Sequence, residues 1–189
     1  MAPILGIWAS GVTPSKQNSY ESISTVTVGS GGAATVSFTS IPSTYTHLQV
    51  RFLARSTFNN SGNSVNCYYI LNSDTATNYS QHAMRGDGAT VFASGNANQT
   101  AMYAGAGIAD AGSTASVFSG GVLDLLDYGN TNKYKTARLL NGFDRNGGGQ
   151  IVFSSGSWRS TSAVTTLTLS TDSNWAEYSS FALYGIKGA

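Results

Sequence analysis

The chain has 189 residues and a formal net charge of +1, and only 10% of its positions are charged, against about 25% in a typical soluble domain. Polarity comes instead from 27 Ser, 20 Thr and 14 Asn, with 22 Gly beside them. Scattered basic residues exclude nucleic acid and anionic membrane as main partners, since phosphate binding needs a basic field, and a hydrophobic content of 41% excludes disorder from lack of core material.

Residues 1–19 read differently from the rest. Ile4, Leu5, Ile7 and Trp8 form an apolar cluster, followed by a polar stretch with Pro14 and Lys16. The segment fits two readings: an edge strand closing the domain, or an arm that docks on a partner chain, because an exposed Trp-containing patch is otherwise a liability. It lacks the basic start and long apolar run of a secretory signal. With Cys67 as the lone cysteine, folding in a reducing cytoplasm is expected.

From residue 20 onward two-residue alternation dominates. Strands are predicted at 20–28 and 34–39, with Gly29-Ser30-Gly31-Gly32 as a hairpin connection between them. Pro42 breaks the pairing, since proline cannot donate to a ladder. The clearest strand is 47–55: Leu48, Val50, Phe52 and Ala54 face one way, His47, Gln49, Arg51 and Arg55 the other, with Leu53 as the exception. Further strands are predicted at 65–71, 100–108, 116–128, 136–144, 150–155, 164–170 and 180–186, bounded by clusters such as Asn59-Asn60-Ser61-Gly62-Asn63 and Arg145-Asn146-Gly147-Gly148-Gly149. Residues 74–84 are the single helical candidate, at most a turn or two. In the strand at 65–71, Cys67 alternates with Val65, Tyr69 and Leu71 and reads as a small buried hydrophobe.

Short strands at this spacing predict an all-β protein: an antiparallel β-sandwich of jelly-roll type over residues 20–189, with residues 1–19 as a short N-terminal arm. Alternation fails at Val122-Leu123-Asp124-Leu125-Leu126, so both faces of that strand should be covered. With almost no helix to cover the outer face, contact with another subunit is the expected cover. Asp124 is then either a buried partner of an arginine or a solvated rim residue.

Chemical motifs are sparse. Asp110, Asp124, Asp127 and Asp144 are the candidates for paired-carboxylate catalysis, which needs two of them roughly 5–9.5 Å apart across a cleft. Asp127 and Asp144 each precede turn-forming residues, which favours a turn role. His47 and His82 have no ligand spacing to each other or to Cys67, so no metal site is expected. No Gly-x-Ser-x-Gly elbow occurs, and the glycine pairs lack the lysine of a phosphate loop. No cofactor and no catalytic residue are therefore assigned. Glycan contact by aromatic platforms on loops is the better-founded alternative, with Tyr128, Tyr134 and Trp158 as its candidates. The competing reading places such aromatics in the core or a subunit contact, with their polar ends satisfied.

Several segments resemble a group of small tailed-bacteriophage virion proteins of tail-fibre-like or decorating type. They are residues 20–32 (YESISTVTVGSGG), 38–51 (FTSIPSTYTHLQVR), 3–10 (PILGIWAS), 127–133 (DYGNTNK) and 181–188 (FALYGIKG). The resemblance spans nearly the whole chain and its motifs are structural. It implies a virion component made in the host bacterial cytoplasm, with no catalytic residues to carry over. The resulting expectation is a non-enzymatic homotrimer on the particle surface, held to another virion protein through Ile4, Leu5, Ile7 and Trp8, with host surface glycans as a further partner and no membrane insertion.

Overall fold

A computed structural model describes residues 19–188; the predicted arm residues Ile4, Leu5, Ile7 and Trp8 lie outside that range. The described residues form strands and no helix, in the order β1 (Tyr20–Thr27), β2 (Ala33–Phe38), β3 (His47–Ala54), β4 (Ser64–Val65), β5 (Cys67–Leu71), β6 (Tyr79–Gly86), β7 (Val91–Gln99), β8 (Met102–Tyr103), β9 (Ile108–Ala109), β10 (Ser119–Leu126), β11 (Lys135–Asp144), β12 (Gly149–Trp158), β13 (Leu167–Trp175) and β14 (Ser180–Ile186). An eight-stranded sheet runs β1-β14-β3-β10-β11-β12-β6-β7 and a four-stranded sheet runs β2-β13-β5-β8, with β4 and β9 as a small separate pair. Every ladder between these strands is antiparallel. The architecture is an all-β sandwich, as the alternation predicts.

Its core lies between the sheets. From the large sheet come Leu48, Val50, Phe52, Leu123, Leu125, Leu139, Phe181 and Leu183; from the small one come Val36, Phe38, Tyr69, Leu71, Leu167 and Leu169. Each such fully buried side chain contributes about 1.5–3 kcal/mol. Trp175 closes one end, edge-on to Phe181 at 4.9 Å, and its indole N–H donates to the Leu169 carbonyl. Cys67 sits on β5 with no exposure, and burial pushes its thiol up to about 12, so it acts as the small hydrophobe that its alternation implied. At the opposite end Lys135 is fully buried, its ammonium donating to the carbonyls of Asn130, Lys133 and Thr161.

Four local expectations change. Residues 29–32 make no hairpin: β1 pairs with β14 and β2 with β13, so this turn carries the chain from one sheet to the other. Gly31 and Gly32 supply it with left-handed backbone (φ 91° and 77°). Residues 74–84 form no helix, because Asp74 accepts from Ala76 N and from the Asn78 amide, and such local bonding competes with helical turns; β6 then begins at Tyr79. The strand predicted at 100–108 survives only as β8 and the start of β9, broken by Gly105 at φ 82°. β7 went unpredicted because it is a polar edge strand, almost wholly exposed, with no apolar alternation to reveal it.

Candidate functional site

Strand register assembles the main surface feature. Along β10, β11, β12 and β6 one set of alternate residues enters the core, and the other faces outward. Val122 lies opposite Leu140, Leu140 opposite Phe153, Phe153 opposite Met84, and Met84 opposite Ala93. The next outward row is Gly120, Gly142, Ile151, Gly86 and Val91. Leu140, Phe153, Met84, Ile151 and Val91 are exposed, from 46% at Phe153 to 72% at Val91, while Val122 is half-buried. Glycines in the second row lower the sheet's surface, leaving a groove of about 860 Å³ between Val122, Leu140 and Ile151. Leu53, the exception in the alternation of β3, faces Gly120 and extends the patch. Together these side chains expose roughly 600 Å² of apolar surface, at the upper limit for a monomer's largest patch.

The other half of this outer face is polar. Arg51 lies over the rings of Tyr20 and Tyr184 at 5.5 and 5.4 Å and donates from Nε to Gln49 Oε1, while Gln49 Nε2 donates to Asp124 Oδ1 at 2.8 Å. Asp124 is thus half-buried and held by an amide, where either an arginine partner or a solvated rim was expected. The stretch 122–126 divides between the two faces of its strand, and no described residue covers the outer one. Leu123 and Leu125 enter the core, and Val122 joins the apolar outer patch. Doublets and triplets of the same kind at Leu139-Leu140 and Ile151-Val152-Phe153 carried the signal for the rest of the patch.

A second concavity, of about 650 Å³, is polar. It opens at the end of the sandwich where loop 59–63, turn 145–148 and the last residues of β6 meet. Arg85, Arg145, Asn63, Gln150, Tyr103 and Asp172 are among its walls. Loop 59–63 is pinned by Asp110, which is fully buried and accepts from Asn60 N, Gly62 N and the Ser113 hydroxyl at 2.7, 3.0 and 2.7 Å. Burial alone would raise this carboxyl, but those hydrogen bonds outweigh it and hold it below the usual carboxylate range.

The predicted site residues do not converge. Tyr128 is fully buried with its hydroxyl donating to the Pro42 carbonyl. Trp158 is buried, stacked on Tyr79, and donates its indole N–H to Asp74 at 2.7 Å. Both belong to the interior, where their polar ends are satisfied, and neither can meet a glycan. Tyr134 is 56% exposed and stands apart from both concavities. The four candidate carboxylates hold local structure. Asp127 pairs with Lys133, which keeps its carboxyl low, and its backbone N–H donates to His47 Nδ1. Asp144 accepts from Asn146 N in the β11–β12 turn. His82 lies exposed on β6 with its ring over Gly95. Among the described residues no three His, Cys, Asp or Glu side chains gather as a metal site would require.

In comparisons with known proteins, the chain matches no family model, no curated protein and no solved structure.

Proposed function

We propose that this protein is a non-enzymatic structural protein of a bacteriophage virion, of tail-fibre-like or decorating type. In this reading it is a homotrimer displayed on the particle surface and anchored to another virion protein by its N-terminal arm. The observation that carries the reading is the apolar outer face of β10, β11, β12 and β6. A sheet face of this size left in water is a liability, and a neighbouring copy of the same chain is the simplest cover. The charge-poor, hydroxyl-rich composition supports display, because a surface with few charges depends little on ionic strength. The segments that resemble tailed-phage virion proteins support the location.

We read the sandwich as a jelly roll. The quartets β1-β14-β3-β10 and β2-β13-β5-β8 are supplied by strands that cross between sheets at each step except β5 to β8, which is the strand order of two interlocked Greek keys. Hairpins β6-β7 and β11-β12 then widen one sheet and create the apolar face.

Quantitative mass spectrometry of purified particles of the encoding phage tests the function. The expected result is many copies per particle, in multiples of three, at symmetric positions in a particle map. Absence from purified particles would end the proposal. Deleting residues 1–12 tests the arm separately, and normal incorporation of the truncated chain would remove the anchoring role.

A further inference from the structure

The polar concavity has a ligand chemistry of its own, independent of assembly. Two guanidinium groups face it. Arg85 lies over the Phe92 ring with its guanidinium carbon 4.5 Å from the centroid, which leaves the edge N–H groups available. Arg145 is laid into a slot between two glycines. A Cβ at Gly62 would stand 2.8 Å from its Nη1, and one at Gly148 would stand 2.7 Å from its Nε. Only bare backbone admits the arginine in this position, and Asp110 holds the Gly62 side of the slot in place.

Neither guanidinium is held in a direct ion pair. The ion pairs among the described residues are His47–Asp127, Lys133–Asp127 and Lys187–Glu21. The carboxylates in the walls, Asp172 and Asp87, keep their charge, and Arg85 helps to hold the Asp87 carboxyl low, but their direct hydrogen bonds go to other groups. Asp172 accepts from Asn66 N, the Asn66 amide and the Tyr68 hydroxyl, and Asp87 accepts from Ala89 N and Thr90 N. Two arginines in one cleft, neither held in a direct ion pair, leave guanidinium N–H groups free to take a negative group. Asn63 and Gln150 each donate one amide hydrogen, to Asn60 O and the Ser64 hydroxyl, which leaves their amide oxygens as acceptors for a ligand. Tyr103, half-buried against Tyr68 at 5.8 Å, offers a ring as a wall.

We propose that this cleft binds an acidic saccharide, with the Arg85 and Arg145 guanidiniums taking its carboxylate or sulfate, the Asn63 and Gln150 amide oxygens accepting from ring hydroxyls, and Tyr103 flanking the sugar face. A neutral sugar leaves both guanidiniums unpaired, and free phosphate uses neither the amides nor the ring. The volume suits one or two sugar units. Planar, bidentate recognition by arginine provides the selectivity for the charged substituent.

The test uses the full chain against immobilised oligogalacturonides, alginate oligomers, sialylated oligosaccharides and sulfated oligosaccharides, each beside its esterified, desialylated or desulfated counterpart. The expected result is binding to at least one acidic probe, with at least tenfold weaker binding to its neutral form. Arg85→Gln and Arg145→Gln should each lower affinity ten- to a hundredfold, while thermal midpoints stay near that of the parent chain. Arg145→Lys keeps the charge but loses the fork, and should retain only part of the affinity. Silence across every acidic probe overturns the proposal. So does equal binding to the neutral forms, unchanged binding by both Gln variants, or complete displacement by inorganic phosphate at the probe's own concentration. Because the read-out is saccharide binding by the isolated protein, its failure leaves the assembly reading standing.

Discussion

Replacing Phe153 by lysine separates self-association from folding. Phe153 is on the outward side of β12, between Leu140 and Met84, and is 46% exposed, so about half of its side chain, roughly 100 Å², is available to a neighbour. At about 25 cal/mol per Å² this surface would contribute about 2.5 kcal/mol to each contact of the proposed trimer. Losing it alone weakens association roughly sixtyfold, and the buried ammonium adds to the loss. The monomer should barely notice, since an outward position on this strand costs at most about 1 kcal/mol in strand preference. Sedimentation velocity over a hundredfold range of protein concentration reads the first effect, and thermal unfolding monitored by circular dichroism reads the second. The expected outcome is a trimer for the parent chain and a monomer for Phe153→Lys, with midpoints within about 4 °C of each other. A monomeric parent chain, or an unchanged oligomer in the variant, would refute the reasoning.

Other outcomes follow from buried polar groups and from glycine. Lys135→Met leaves three carbonyls without their donor and should cost about 3 kcal/mol, a fall in midpoint of about 6–12 °C; a midpoint within 2 °C of the parent would show that the ammonium is dispensable. Asp110 has a folded-state pKa below its ordinary 3.8, so its contribution is complete above that value and is lost as pH falls through the folded value. Asp110→Asn should therefore lower stability near neutral pH and flatten the loss as pH falls below about 4, as followed by urea denaturation at each pH; an unaltered slope would contradict the assignment. Adjacent glycines on β10 should behave oppositely. A Cβ on Gly121 would lie 2.1 Å from the buried Phe52 ring, while one on Gly120 meets nothing within 4 Å. Gly121→Ala should thus cost about 1–3 kcal/mol by overpacking, and Gly120→Ala should leave the midpoint unmoved.

Alternation made the sandwich legible because strands such as β3 and β14 have one face in a core and one in water. β7 was invisible for the same reason, since its residues meet little but solvent and it is held through its backbone to β6. The apolar outer face was half legible. The broken alternation at 122–126 announced an apolar second face, but nothing in one strand reveals which other strands stand beside it. Tyr128 and Trp158 misled because adjacency to turns in sequence resembles exposure, whereas Pro42 and Asp74 reach from elsewhere in the chain to satisfy them inside. Arg85 and Arg145 are 60 positions apart and share a cleft only because β6 and β12 pair; no local pattern could have joined them.

The pairing of β1 with β14 sets how this chain is made. Tyr20 finds its ladder partner in Ile186, so β1 waits until β14 has followed it out of the ribosome, about 10–35 s later at ordinary synthesis rates. β3 also lacks β14 on one side during that interval. Hydroxyl-rich, weakly sticky strands such as Tyr20–Thr27 (YESISTVT) tolerate such a wait better than aliphatic ones would. A product truncated before residue 180 would leave two adjacent open edges, and it should be sorted to proteolysis or inclusion bodies rather than to assembly.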